Sequence, residues 1–204
     1  HWLFYSMSLA IFILPEESFA NEIVHWKERI ENSYPNQPYT AHPPHMTLIN
    51  MEVINKGDAI AIFSSLSNSS HPFQISIKQT SVFWDDAATG GHTLYFDVEK
   101  NMPLQDLQKI VANALKSVKT HTPPPNYLVG HKLLQDSYEN FGFPFIGDHW
   151  IPHFSVSSLQ SERTHPIIKD FLSINKQSLF MVNQMSLWYI DGNDHTQLKT
   201  VFFQ

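Results

Sequence analysis

Short apolar runs rich in β-branched residues alternate with longer stretches whose apolar positions recur every three or four residues. This is the pattern of strands interleaved with amphipathic helices. The run Trp2–Leu14 is apolar almost throughout and predicts a buried first strand ending at Pro15. It is too short to span a bilayer, and no basic residue precedes it as in a secretory signal. Pro15, Glu16 and Glu17 predict a helix opening, with proline in the first turn and acids at the positive end of the dipole. That helix should run to about Ser33 and turn Phe19, Ile23, Trp26 and Ile30 inward. The prolines between Tyr34 and Pro44 predict a loop. Later segments read as a strand over His92–Val98, a helix over Met102–Val118 with Leu104, Leu107, Ile110, Val111, Ala114 and Leu115 inward, and a closing edge strand over Thr200–Gln204. The stretch from Thr122 to Trp150 reads as a long, aromatic-rich loop of the kind that covers a core or contacts a ligand.

Within this pattern one stretch occurs twice. Pro44-His45-Met46-Thr47-Leu48-Ile49 returns as Pro152-His153-Phe154-Ser155-Val156-Ser157. Each copy is followed by a helix-like segment, Asp58–Leu66 or Thr164–Ile174, and then by an aromatic strand. The first aromatic strand is Phe73–Ile77 leading to Val82-Phe83-Trp84, and the second is Phe180–Val182 leading to Leu187-Trp188-Tyr189. The chain therefore reads as a duplicated β-α-β unit, and residues 1–204 as one bilobal domain with a site built from two halves. On a strand, residues i and i+2 share a face. His45 and Thr47 should thus point together, as should His153, Ser155 and Ser157, with Met46, Leu48, Phe154 and Val156 packed behind them.

Composition narrows the chemistry. The absence of cysteine excludes disulfides, thiolate nucleophiles and cysteine-bound metal centres, and leans toward a reducing, cytoplasmic location. A formal charge of −6 argues against a broad grip on duplex nucleic acid. A small phosphorylated ligand or a short RNA end fits that charge. Twelve histidines raise the possibility of a metal hydrolase, but there is no His-x-His or His-Glu-x-x-His, and Pro152 breaks a helical pairing of His149 with His153. No metal or cofactor is expected. Arg163 and Lys132 are basic candidates for contact with phosphate, without a motif to single them out.

The early strand ending in Leu14-Pro15-Glu16-Glu17, the helix after it, and the paired Pro44-His45-Met46-Thr47 and Pro152-His153-Phe154-Ser155 together resemble the two-histidine (2H) phosphoesterase superfamily. That superfamily includes the 2′-5′ RNA ligase-like proteins and cyclic phosphodiesterases acting on ADP-ribose cyclic phosphate. The resemblance implies an α+β, bilobal fold in which two pseudo-symmetric antiparallel sheets line a central cleft with helices outside. It implies that His45 and His153 form the catalytic pair and that Thr47 and Ser155 assist. Plant-type cyclic phosphodiesterases tend to carry tyrosine three residues before the second histidine, where this chain has Trp150.

Elementary chemistry suits that assignment. Phosphodiester cleavage needs a base for the attacking oxygen and an acid for the departing one, and imidazole serves either role near neutral pH. Hydroxyl groups can donate to the non-bridging oxygens as charge gathers there. Trp84 and Trp150 are candidates for stacking a nucleobase. The expected partner is a small nucleotide or short RNA, with no membrane and a monomeric protein. The competing class is a non-catalytic nucleotide or RNA-end binding module on the same fold.

Overall fold

A computed structural model describes residues 7–204. The start of the first expected strand, residues 2–6, lies outside the described residues. Strand β1 (Met7–Ile13) is followed by α1 (Glu17–Ser33), β2 (Met46–Val53), α2 (Lys56–Ser64), β3 (Phe73–Phe83) and β4 (His92–Val98). Then come α3 (Met102–Leu115), α4 (Lys132–Phe141), β5 (His153–Leu159), α5 (Pro166–Leu172), β6 (Ser178–Val182), β7 (Gln184–Asp191) and β8 (Asp194–Phe202). All pairings are antiparallel, in the order β6-β3-β4-β5-β2-β1-β7-β8. The fold is α+β, with the helices packed on the sheet.

Among the described residues the eight strands divide into two halves of four, β2-β1-β7-β8 and β5-β4-β3-β6, joined by one residue pair, Met46 opposite Phe154. The duplicated units exchange strands across this seam. β3 follows β2 in the chain but pairs beside β4, whereas β7 follows β5 but pairs beside β1. Each half is therefore completed by the other unit's aromatic strand. In the first unit the two aromatic runs merge into one strand, β3, bulged between Ile77 and Gln79, while the second unit breaks at Asn183 into β6 and β7.

The seam is short because each strand's edge is satisfied by other groups beyond it. Along β5, the Val156 carbonyl accepts from Lys27 Nζ (2.8 Å), and the Ser158 amide donates to the Pro38 carbonyl (2.9 Å). Along β2, the Thr47 carbonyl accepts from Trp150 Nε1 (3.2 Å) and the Leu48 carbonyl from Gln108 Nε2 (3.1 Å). An unpaired buried backbone group would be costly, so these bonds fix where the halves part.

The helices follow the reading from sequence, with shifts at their ends. α1 buries Phe19, Ile23, Trp26 and Ile30, and also Lys27. α2 begins two residues early because the Asn55 side chain accepts from the Asp58 amide as an N-cap. α3 ends at Leu115 and tightens into a 3₁₀ turn to Val118. Ile110, expected inward, is exposed. The segment read as a loop contains α4, which buries no residue and stops at Gly142, whose φ of 73° is the left-handed conformation of a helix end. The final strand begins at Asp194 rather than Thr200, because Gly192 (φ 60°) turns β7 into a hairpin with β8.

Candidate active site

Met46 and Phe154 face each other across the seam and both have 0 % exposure. Their neighbours on either side must point to the opposite face of the sheet. The antiparallel register sets His45 beside Ser155 and Thr47 beside His153, so two histidines lie on one diagonal and two hydroxyls on the other. In a regular antiparallel pair such diagonals span about 7–8 Å between backbones, so both rings rise from one short stretch of the seam. All four residues are half-buried, in contrast to the sealed pair behind them.

The two imidazoles are held in the same way. His45 Nδ1 donates to the Pro43 carbonyl and His153 Nδ1 to the Ile151 carbonyl, each at 2.6 Å. A carbonyl only accepts, so Nδ1 carries the hydrogen and Nε2 is left with its lone pair free. In both copies a proline, Pro44 or Pro152, stands between the histidine and that carbonyl, and its fixed φ pre-sets the turn. This accounts for the Pro-His spelling of the repeat.

Each ring also rests on an aromatic pair from two adjacent strands. His45 stacks on Phe12 of β1 (centroids 3.8 Å, planes 21° apart), with Trp188 of β7 behind it (5.7 Å from Phe12). His153 meets the edges of Tyr95 of β4 (5.2 Å) and Phe83 of β3 (5.1 Å). Among the described residues the Thr47 and Ser155 hydroxyls make no hydrogen bond, whereas the buried Ser157 hydroxyl bonds to Thr40 (2.7 Å) and to the Pro38 carbonyl (3.2 Å). Ser157, expected on the same face, is therefore structural.

Charge breaks the symmetry. Burial lowers the pKa of His45 to about 3, and the nearby Lys27, His195 and His42 all oppose a proton there. Burial also lowers His153, but Asp97 and Asp86 favour its protonated form. Asp97 stands opposite His153 in the β4–β5 register. Lys27 is 6 % exposed, and burial brings its ammonium pKa down to about 7. The arrangement favours a neutral imidazole at position 45 and admits an imidazolium at 153.

Among the described residues neither Trp84 nor Trp150 makes a ring contact with His45 or His153. Trp150 is 3 % exposed, with its indole bound to the Thr47 carbonyl, so it has no open ring face for a base and instead holds β2 in place. Trp84 is 40 % exposed but packs against His92 (5.1 Å) and under the Arg163 guanidinium (5.2 Å). Arg163 is paired with Asp85, and Lys132 with Asp136. The aromatic rings that the fold does bring to the two histidines are Phe12, with Trp188 behind it, and Phe83 and Tyr95, all on strands whose meeting at the site the sequence does not signal. Lys27, His42, His195 and Asp97 were missed as well. Lys27 had a readable signal, since it lies four residues after Ile23 and three before Ile30 on the buried stripe. Among the described residues no three His, Asp or Glu side chains converge as a metal site.

The sequence model of the 2′-5′ RNA ligase superfamily matches residues 15–194. No curated protein matches the chain. Among solved structures, TT0787 of Thermus thermophilus is similar at 13% identity and a TM-score of 0.61, covering 97% of this chain and 98% of its own. LigT of E. coli in its apo form is similar at 13% identity and a TM-score of 0.60, covering 98% of both chains. LigT solved with 3′-AMP is similar at 14% identity and a TM-score of 0.57, covering 98% of this chain and 99% of that one.

Proposed function

Because the chain belongs to the 2′-5′ RNA ligase superfamily of 2H phosphoesterases, we propose that it is a metal-independent phosphodiesterase acting on 2′-5′-linked oligonucleotides or on nucleotide cyclic phosphates, the 2′,3′-cyclic and ADP-ribose cyclic forms included. One observation carries this reading: two histidines with matched hydrogen bonds present free Nε2 atoms on one face of the seam, each beside an unengaged hydroxyl. The nucleotide ligands with which LigT has been solved, 3′-AMP and ATP among them, support a substrate of that class. We take residues 1–204 to be one monomeric, cytoplasmic domain. Among the described residues no helix is long and apolar enough to cross a membrane.

In the proposed mechanism, neutral His45 takes a proton through Nε2 from the attacking oxygen, a vicinal ribose hydroxyl in transesterification or water in ring opening. Protonated His153 gives its Nε2 proton to the departing oxygen on the far side of phosphorus. Thr47 and Ser155 donate to the non-bridging oxygens, where negative charge grows. The new P–O bond forms as the opposite one breaks, and the two imidazoles end with exchanged protonation. The reverse reaction then starts from His153 as base and His45 as acid.

The test is a substrate panel with chelator in excess: 2′-5′ oligoadenylate, 2′,3′-cyclic nucleotides, ADP-ribose cyclic phosphate and 3′-ended RNA, with products identified by mass. The expected result is a cyclic phosphate or a monoester from at least one member, at a rate unchanged by chelator. Binding without turnover across the panel would favour a non-catalytic module, and loss of activity on chelation would favour a metal hydrolase.

A further inference from the structure

The His45 edge of the cleft holds more nitrogen than a two-histidine mechanism uses. His195, at the start of β8, lies 4.3 Å from His42 and 5.8 Å from His45, ring centre to ring centre. Lys27 sits behind them with its ammonium bonded to the Tyr39 and Val156 carbonyls, both at 2.8 Å, so among the described residues no carboxylate neutralises it. Each imidazole likewise gives one nitrogen to a neutral oxygen. His42 Nε2 bonds the Asn193 side-chain oxygen (3.1 Å), His195 Nδ1 the Asn193 carbonyl (3.1 Å) and His45 Nδ1 the Pro43 carbonyl. The second nitrogen of His42 and of His195 has no partner among the described residues.

We propose that His42 and His195 form a second anion subsite at the His45 edge of the cleft, which takes a phosphate group of the substrate other than the one being cleaved. Lys27 and the neighbouring rings oppose a proton on these imidazoles, and a bound dianion adds an attraction that favours the protonated, doubly donating form of each. The charges acting on His42 are His195 and Lys27, and burial with these two holds it at about 4. His195 is lowered by burial and by Lys27 and supported by Asp194. A groove of about 530 Å³ continues beyond His42, lined by Asn36, Gln37, Thr40 and Asn193 with Glu28 and Glu31, and has room for the nucleoside that such a phosphate would carry. At the other edge the charge acting on the histidine is of the opposite sign, since Asp97 and Asp86 act on His153 where Lys27 acts on His45. The subsite therefore fixes the direction in which a substrate lies: its second phosphate sits at the His45 end. This rests on the phosphodiesterase reading above, because it names a part of that substrate.

The experiment compares adenosine 2′-monophosphate with adenosine 2′,5′-bisphosphate by calorimetry on the full chain, with chelator, at pH 7 and pH 8.5. The bisphosphate should bind about tenfold tighter at pH 7, with net proton uptake seen by repeating the titration in two buffers. The advantage should shrink at pH 8.5, since a group that gains a proton on binding loses affinity as pH rises. His195→Phe and His42→Phe keep an aromatic ring in place and should remove the advantage while the monophosphate still binds. Equal affinity of the two ligands for the parent protein, or an advantage that survives both substitutions, overturns the subsite alone. Failure of either ligand to bind the parent protein overturns the proposed function along with it. If a variant does not fold, the parent comparison across pH still decides.

Discussion

His45→Ala and His153→Ala each reduce turnover by about two to four orders of magnitude, the usual contribution of a positioned acid or base. The effect is expected to be similar at both positions because the two rings hold equivalent places. Each donates Nδ1–H to the carbonyl two residues before it and presents Nε2 on the face opposite the Met46–Phe154 pair. In the proposed mechanism the two groups act in one proton-transfer cycle, so the double variant should be little worse than either single one. Folding should survive, since both residues are half-buried and their ring hydrogen bonds go to loop carbonyls. Initial rates on the best substrate of the panel, with thermal melts of each variant, check this. A variant that keeps near-parent turnover removes its histidine from the mechanism.

Phe154→Ala acts on stability. The residue is fully buried between the halves and packs edge-on against Phe19 at 5.2 Å, with Phe180 at 6.1 Å. Emptying such a site costs about 3–5 kcal/mol through lost transfer energy and the cavity left behind. For a chain of this size that lowers Tm by roughly 6–20 °C. Because its backbone is the single pairing between the halves, the variant should also lose activity below its own Tm as the two histidines lose their register. Ser155→Ala, one position along and on the open face, should leave Tm within about a degree or two. Denaturant unfolding of both variants measures the contrast. A Phe154→Ala cost under about 1 kcal/mol would mean that the seam is not held by this side chain.

Much of this architecture was legible because it is written in local periodicity. The i, i+2 alternation places His45 with Thr47 and His153 with Ser155, and the stripe of Phe19, Ile23, Trp26 and Ile30 defines α1. What was not legible depends on how distant segments meet. Nothing near β3 or β7 signals that each crosses to the other half, because an apolar strand fits either neighbour. His42 and His195 are far apart in the chain and meet through the Asn193 turn. Trp150 looked like a ligand platform from its aromatic loop, yet its indole satisfies the Thr47 carbonyl at a strand edge. The helix α4 reads as loop because it is short and bracketed by breakers, Pro123 to Pro125 and Gly130 before it and Gly142 after it, and it buries no residue fully.

The difference in charge between the two edges bears directly on the acid–base roles. His45, held near 3 by burial and its cationic neighbours, stays neutral throughout the useful pH range, while His153 must carry a proton and has a pKa lowered below the ordinary 6.5. The protonated fraction of His153 therefore falls about tenfold per pH unit on the alkaline side of its pKa. The decisive measurement is kcat/KM from about pH 5 to 9 for the parent and for Asp97→Asn, which removes the carboxylate opposite His153. The account predicts a rate that falls with rising pH from below 6.5 and a fall displaced to lower pH in the variant. A profile flat across that range, or one that climbs with pH and ignores Asp97, would contradict it.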